Sequence, residues 1–331
     1  MAGFQGDQMI ISRTPFRISF AGGGTDINDF YIKNGGAVTS TAIDKYVYVT
    51  INKKFDSGIR ISYSKTENVD KVDDIKHPLV KEALRLTGIT KGIEITSIAD
   101  IPSQTGLGSS SAFTVGLLNV LYAYKGEFKS PKTLAEQACH IEINLCKEPI
   151  GKQDQYIAAY GGIQHIQFKE DENVFVNPVI CYKKIRKELE NGLMMFYTGT
   201  TRMASTILTE QKSNINQKIE ILNKMKEQAE SIKDSLKDGD LERFGNLLNE
   251  GWILKRQLTN KITNDEIDGY YKRAIESGAI GGKLLGAGGG GFLLFYCPLN
   301  KQDKVRTSLM NLKETTISLE PQGTKIIHIN D

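Results

Sequence analysis

Apolar and polar positions alternate from Ile10 to Ala21. Ile11, Phe16, Ile18 and Phe20 are set among Ser12, Arg13, Arg17 and Ser19, the period of a strand. The pattern predicts further strands over Val38–Thr41, Lys45–Asn52, Ile59–Ser64, Gly92–Ser97, Ile163–Phe168, Gly192–Thr198 and Gly323–Ile329. Helical spacing places Phe113, Leu117, Val120, Leu121 and Tyr124 on one side of a buried helix. Other helices are predicted over Leu79–Thr87, about Pro131–Cys146, Asp265–Ser277 and Lys301–Leu312. Long charged amphipathic segments run from Ala204 to Lys237 and from Leu241 to Leu258; their Lys and Glu read as solvated helix faces. Lys65–Lys76 reads as loop, and Glu170–Asn173 as a hairpin tip. The texture shifts near residue 185, the candidate boundary between two domains.

Glycine punctuates this pattern at three places: residues 22–24, 106–108 and 286–291. The second runs into Ser109, Ser110 and Ser111 and then into the buried helix, so a serine is the expected N-cap. A glycine-rich loop feeding a helix N-terminus presents unpaired N–H groups, a partial positive charge and no Cβ in the way of an anion. A capped core helix after an ordinary loop fits the loop alone equally well. Three such turns together suggest backbone crowding around a shared ligand.

Several alternatives fail on the same patterning. GAGGGG, Gly286–Gly291, formally satisfies G-x-G-x-x-G, but Phe292–Tyr296 reads as a strand where a dinucleotide fingerprint needs a helix. A Walker A loop fails because Leu284 comes after Lys283 and position 277 is Ser277. The four histidines show no metal-ligand spacing, and the four cysteines form no CxxC pair, which fits a reducing cytoplasm. A net charge of +3 gives no case for nucleic acid or an anionic membrane surface, and no apolar run is long enough to span a membrane. With 40% hydrophobic and 24% charged residues, the 331-residue chain has the composition of a globular protein of one or two domains. Met9 offers itself as a start, with residues 1–8 an addition.

Two carboxylates, Glu142 and Asp154, lie between the second and third glycine turns. Paired acids beside hydroxyls suit metal-assisted phosphoryl transfer, one holding the metal and the other accepting a proton. By spacing alone, though, Glu142 is a surface helix residue, Asp154 an N-cap, and Asp26 the cap of a helix beginning near Ile27.

Three motifs change that balance. RTPFRISFAGGGTD (residues 13–26), PSQTGLGSSSA (102–112) and KLLGAGGGGF (283–292) resemble, in order and distance, those of the GHMP kinases, the superfamily of galactokinase, homoserine kinase, mevalonate kinase and phosphomevalonate kinase. The resemblance covers nearly the whole chain. It implies an α+β fold of two domains. Residues 1–185 would form the N-terminal, ATP-binding, ribosomal-protein-S5-like domain. Residues 186–331 would form a ferredoxin-like domain whose last strand returns to the first.

By the same resemblance, Gly106, Leu107, Gly108, Ser109, Ser110 and Ser111 would wrap the phosphates of ATP, and Ser109, Ser110 and Glu142 would serve Mg²⁺. Asp154, in GKQDQ, matches the catalytic aspartate of galactokinase-like members, and Arg17 the basic residue beside it. Asp26 matches the ligand of a sugar hydroxyl, with Gly23, Gly24, Gly288 and Gly289 lining the acceptor site. Tyr63 and Lys65 would border the adenine.

AGGGTD departs from the Gly-Glu-His-Thr-Asp string of galactokinases at all but Thr25 and Asp26. Together with YSKTE (63–67) and HPL (77–79), it is similar to the bacterial heptose 7-phosphate kinases. That likeness implies a cytoplasmic kinase that phosphorylates the anomeric hydroxyl of a sugar phosphate on the way to a surface polysaccharide. Arg202, Lys283 and Lys152 are candidates for the distal phosphate. A kinase for another sugar such as fucose, or a non-catalytic sensor of the same fold, is the alternative. No nucleic acid and no membrane is implied as a partner, and a homodimer stays open.

Overall fold

This computed structural model describes residues 9–200 and 204–330. Strand β1 (Ile10–Ala21) leads through the first glycine turn to helix α1 (Asn28–Asn34) and the 18-residue strand β2 (Gly36–Lys53). A hairpin of β3 (Ile59–Ser62) and β4 (Thr66–Val69) precedes α2 (Pro78–Thr87) and β5 (Ile93–Ala99). Helices α3 (Ser109–Tyr124), α4 (Pro131–Cys139) and α5 (Gln153–Tyr160) come next, then the hairpin of β6 (Ile163–Phe168) and β7 (Val174–Pro178). The second half begins with α6 (Lys183–Gly192) and β8 (Leu193–Tyr197). It continues through α7 (Ala204–Asn214), α8 (Ile219–Asp238), α9 (Leu241–Arg256) and α10 (Asp265–Glu276). It closes with β9 (Gly281–Leu284), β10 (Phe292–Tyr296), α11 (Gln302–Ser308), β11 (Lys313–Glu314) and β12 (Lys325–Ile329).

The elements form two sheets, and the fold is α+β as expected. The larger sheet runs β12-β1-β2-β5-β3-β4, with β6 and β7 branching from the first half of β2. The smaller runs β11-β8-β10-β9. Numbering β8, β9, β10 and β11 as one to four gives the order 4-1-3-2 of a ferredoxin-like layer. The C-terminal strand β12 lies antiparallel to β1, but only along residues 10–13. The outer edge of β1 beyond Arg13 is therefore open to a loop, and the second glycine turn takes it: the Arg17 N–H donates to Leu107 O at 3.1 Å.

Helix α8 fastens the two halves together. Thr39 on β2 donates to Ala229 O at 2.7 Å, and His165 on β6 meets Glu230 at 2.9 Å. Burial pushes the pKa of His165 down. Ile27 and Phe30, at the start of α1, pack into the second-half core with Phe196, Leu222 and Trp252. All four cysteines carry free thiols.

Several elements differ from the sequence reading, each for a physical reason. The two strands expected over 38–52 are one, because residues 36–43 of β2 are buried throughout and show no alternation to mark where β6 hands over to β5 as neighbour. The helix expected from 131 to 146 leaves α geometry at Cys139 and ends as a π turn, His140–Leu145, with the Cys146 N–H reaching Ile141 O. The segment from 204 to 237 is two helices separated by a 3₁₀ turn at Ile215–Gln217. The supposed loop at 65–76 contains β4, paired back on β3.

Candidate active site

The phosphate-type loop is built by backbone shape. Gln104, Gly106 and Gly108 all have positive φ, and Gly108 is the N-cap of α3 at φ 73°. This corrects the expectation of a serine cap. No side chain caps the helix, and Ser109, Ser110 and Ser111 form its first turn. The first helical bond is Ala112 N–H to Gly108 O at 3.0 Å, so the amides of those three serines precede the ladder and are free to face an anion.

Glu142 is fully buried under this turn, not on the surface. Ser110 Oγ donates to its Oε1 at 2.7 Å and Gln155 Nε2 to its Oε2 at 2.6 Å. The π turn that carries Glu142 inserts an extra residue into the helix, a feature frequent at functional sites. Burial raises the carboxyl to about 7 against these hydrogen bonds, and nearby Asp154 adds to the rise. A buried carboxylate beside hydroxyls suits a hard, oxygen-seeking cation. Among the described residues no group of three or more His, Cys, Asp and Glu is arranged to enclose a metal.

Asp154 lies in the first turn of α5 and caps nothing. Arg17 grips it with both arms, Nε to Oδ1 and Nη2 to Oδ2 at 2.7 Å each. The third arm, Nη1, donates to Gly106 O at 2.6 Å. A Cβ on Gly108 would stand 3.1 Å from Asp154 Oδ2. One arginine thus joins β1, the phosphate-type loop and the candidate base.

Asp26 is 2% exposed and does not cap α1, whose N-cap is Ile27. Its Oδ1 accepts from the Gly24 N–H and its Oδ2 from the Gln153 N–H, both at 3.0 Å. It therefore ties the first glycine turn to the residue before Asp154. Burial is the main cause of its raised pKa. A Cβ on Gly151 would fall 2.0 Å from Asp26 Oδ2, so only glycine fits there.

The third glycine turn packs against the second. A Cβ on Gly286 would lie 2.4 Å from Gly106 Cα, and one on Gly291 2.3 Å from Thr105 O. Gly288 abuts the backbone of Ile262, and the Gly289 N–H already donates to Ile262 O at 2.8 Å. Beneath these loops lie two buried lysines. Lys283 Nζ donates to Phe20 O at 2.9 Å, and Lys255 Nζ to Leu284 O at 2.9 Å and Gly286 O at 2.5 Å. Burial and the charge of Arg17 lower Lys283 to about 7; burial, then Lys283 and Arg17, push Lys255 down.

Lys152 lies over the Tyr31 ring, 4.9 Å from its centroid. Tyr63 stacks edge-on against His77, which meets Phe113 in α3, while Lys65 is exposed. Arg202 lies outside the described residues. The sequence reading missed Lys255, placed within a helix face taken as solvated, and Gln155, the partner of Glu142.

Comparison with known proteins agrees with this architecture. The family model described as GHMP kinases N terminal domain matches residues 77–162, and GHMP kinases C terminal matches residues 232–312. A D-glycero-alpha-D-manno-heptose 7-phosphate kinase of Campylobacter jejuni is 31% identical over 307 residues, covering 88% of this chain and 91% of the relative. An L-fucokinase/L-fucose-1-P guanylyltransferase of Bacteroides fragilis is 27% identical over 87% of this chain and 34% of its own length. The crystal structure of a D-glycero-D-manno-heptose 1-phosphate kinase from Bacteroides thetaiotaomicron superposes with a TM-score of 0.82 at 25% identity, covering 97% of this chain and 100% of that one. The chain belongs to the GHMP kinase family, a family of ATP-dependent phosphotransferases. Among the described residues no helix is long and apolar enough to cross a membrane.

Proposed function

We propose that this chain is an ATP- and Mg²⁺-dependent sugar-1-kinase acting on a heptose 7-phosphate, within the synthesis of a surface polysaccharide. The observation that carries the reading is the Arg17–Asp154 pair locked to the phosphate-type loop through Gly106 O. The amides of Ser109, Ser110 and Ser111 receive the nucleotide phosphates. Glu142 and the hydroxyl of Ser109 or Ser110 hold Mg²⁺, which supplies charge neutralisation at the phosphates. Asp154 accepts the proton of the anomeric hydroxyl as that oxygen attacks the γ-phosphate in line. Arg17 holds Asp154 in place and screens charge on the transferring group. Asp26 keeps lone pairs for a second hydroxyl while it aligns the two turns. Residues 1–185 and 186–331 are the proposed ATP and ferredoxin-like domains.

Heptose is common to the Campylobacter relative and the Bacteroides structure, whose names differ over which phosphate is involved. A coupled ADP-release screen across sugars and sugar phosphates, with the product's phosphate position read by phosphorus NMR, decides it. Turnover with heptose 7-phosphate giving a 1,7-bisphosphate is the expected result. Product phosphorylated elsewhere than C1 would overturn the C1 assignment.

One observation favours a second reading, an unphosphorylated acceptor such as fucose. Lys283 is bound to Phe20 O and Lys152 lies on Tyr31, which leaves Arg202 as the unassigned candidate for a distal phosphate. Activity on free fucose exceeding that on heptose 7-phosphate would select it.

A further inference from the structure

Three consecutive glycines form the first turn, and the backbone requires two of them. Gly22 has φ +85°, and a Cβ there would lie 1.9 Å from Ala37 O. Gly24 has φ +96°, which an L side chain rarely adopts. Gly23 differs. Its φ is outside the left-handed region, and a Cβ would meet nothing closer than Gln153 Nε2 at 3.6 Å and Ser19 Oγ at 3.7 Å, ordinary van der Waals distances. The fold would accept alanine at 23. What glycine leaves there is a notch one methyl deep, partly open to solvent.

Each wall of the notch carries a polar atom without a partner among the described residues. Ser19 is 7% exposed, and its Oγ is buried without a hydrogen bond. A buried hydroxyl left unpaired is unfavourable unless something completes it. Gln153 Oε1 accepts from Ser40 Oγ at 3.4 Å, which turns Nε2 toward the notch, and Nε2 has no partner among the described residues. Ser40 faces Ser19 across the β1–β2 pairing. The position is close to the chemistry. Ser19 is two residues from Arg17 on the same face of β1, and Gln153 precedes Asp154 and is held by Asp26.

We infer that the notch at Gly23 reads a hydroxyl of the acceptor other than the one that reacts. That hydroxyl donates to Ser19 Oγ and accepts from Gln153 Nε2. Neither wall is charged, so the group is a neutral hydroxyl and not a phosphate. Ser19 and Gln153 are specificity-determining residues, and Gly23 is kept empty for the substrate. The inference rests on the sugar-kinase reading above.

The test is steady-state kinetics of Gly23→Ala, Ser19→Ala and Gln153→Leu, using the sugar that the wild type turns over best and its mono-deoxy analogues. Each variant should raise KM for the sugar about tenfold, leave KM for ATP within twofold, and keep the wild-type melting temperature. With the one deoxy analogue that lacks the recognised hydroxyl, the Ser19→Ala and Gln153→Leu penalties should vanish. If Gly23→Ala does not fold, Ser19→Ala and Gln153→Leu carry the test. Folded variants with unchanged sugar KM would overturn the inference and leave the kinase reading standing. A wild type that turns over no sugar would overturn both.

Discussion

The second and third glycine turns have similar composition and do different work. Residues 106–108 feed a helix, and the curve they impose leaves the amides of Ser109, Ser110 and Ser111 outside the α3 ladder. Residues 286–291 feed a strand, and their missing side chains let backbone press on backbone at Gly106, Thr105, Ile262 and Thr200. On the proposed function one turn is shaped for a ligand; the other packs against it. Glycine content alone does not separate the two roles. The element that each turn enters does, because a helix start leaves donors unpaired and a strand start does not.

The largest expected effect tests the ligand-facing side of this comparison. Asp154→Asn should lower turnover by about a hundredfold or more while nucleotide binding by calorimetry persists, since proton acceptance is lost but the loop is intact. Near-normal turnover would remove Asp154 as the base.

Gly286→Ala tests the supporting side. Its Cβ would sit 2.4 Å from Gly106 Cα and wedge the two loops apart. KM for ATP should rise about tenfold and stability should fall by about 2–3 kcal/mol, with little change in KM for the sugar. A sugar-specific defect instead would give the third turn a ligand role of its own.

A smaller effect reads the two buried lysines, Lys255 on Gly286 O and Lys283 on Phe20 O. Lys283 has its folded pKa depressed to about 7, chiefly by burial. Below pH 7 the folded protein carries the full cost of the buried charge. Between 7 and the ordinary lysine value the unfolded chain holds more protons, so stability rises with pH by up to about 1.4 kcal/mol per unit. Urea denaturation should show this rise in the wild type, and Lys283→Met should lessen it, the remainder coming from Lys255. Equal pH dependence in both proteins would mean that Lys283 keeps its ordinary lysine pKa, and so its charge, in the fold. The smallest effect is at the rim: Lys65→Ala should leave KM for ATP within twofold, because the side chain is exposed.

Much of the first sheet was legible because strand alternation is local. The bounds of β1 and β6 are those expected for them. The burial of Glu142 was not legible, since it depends on a π turn that helical spacing does not announce. Lys255 was not legible either: it sits in a helix rich in charge, and only packing against β9 shows that this one lysine faces inward, onto Leu284 O. Arg17, Asp154 and Asp26 stood out by likeness to a family and not by spacing. Local patterning gave the two aspartates cap roles, which the structure overturns. Ser19 and Gln153 meet only through the fold, 134 residues apart in sequence by their numbering.

The central claim is that the amides at the start of α3 hold the nucleotide's phosphates beside Asp154. A crystal structure with a non-hydrolysable ATP analogue and magnesium tests it most directly. The account predicts phosphate oxygens within hydrogen-bonding distance of the N–H groups of Ser109, Ser110 and Ser111, and the metal on Glu142. A nucleotide bound elsewhere, with that helix end facing only water, would contradict it.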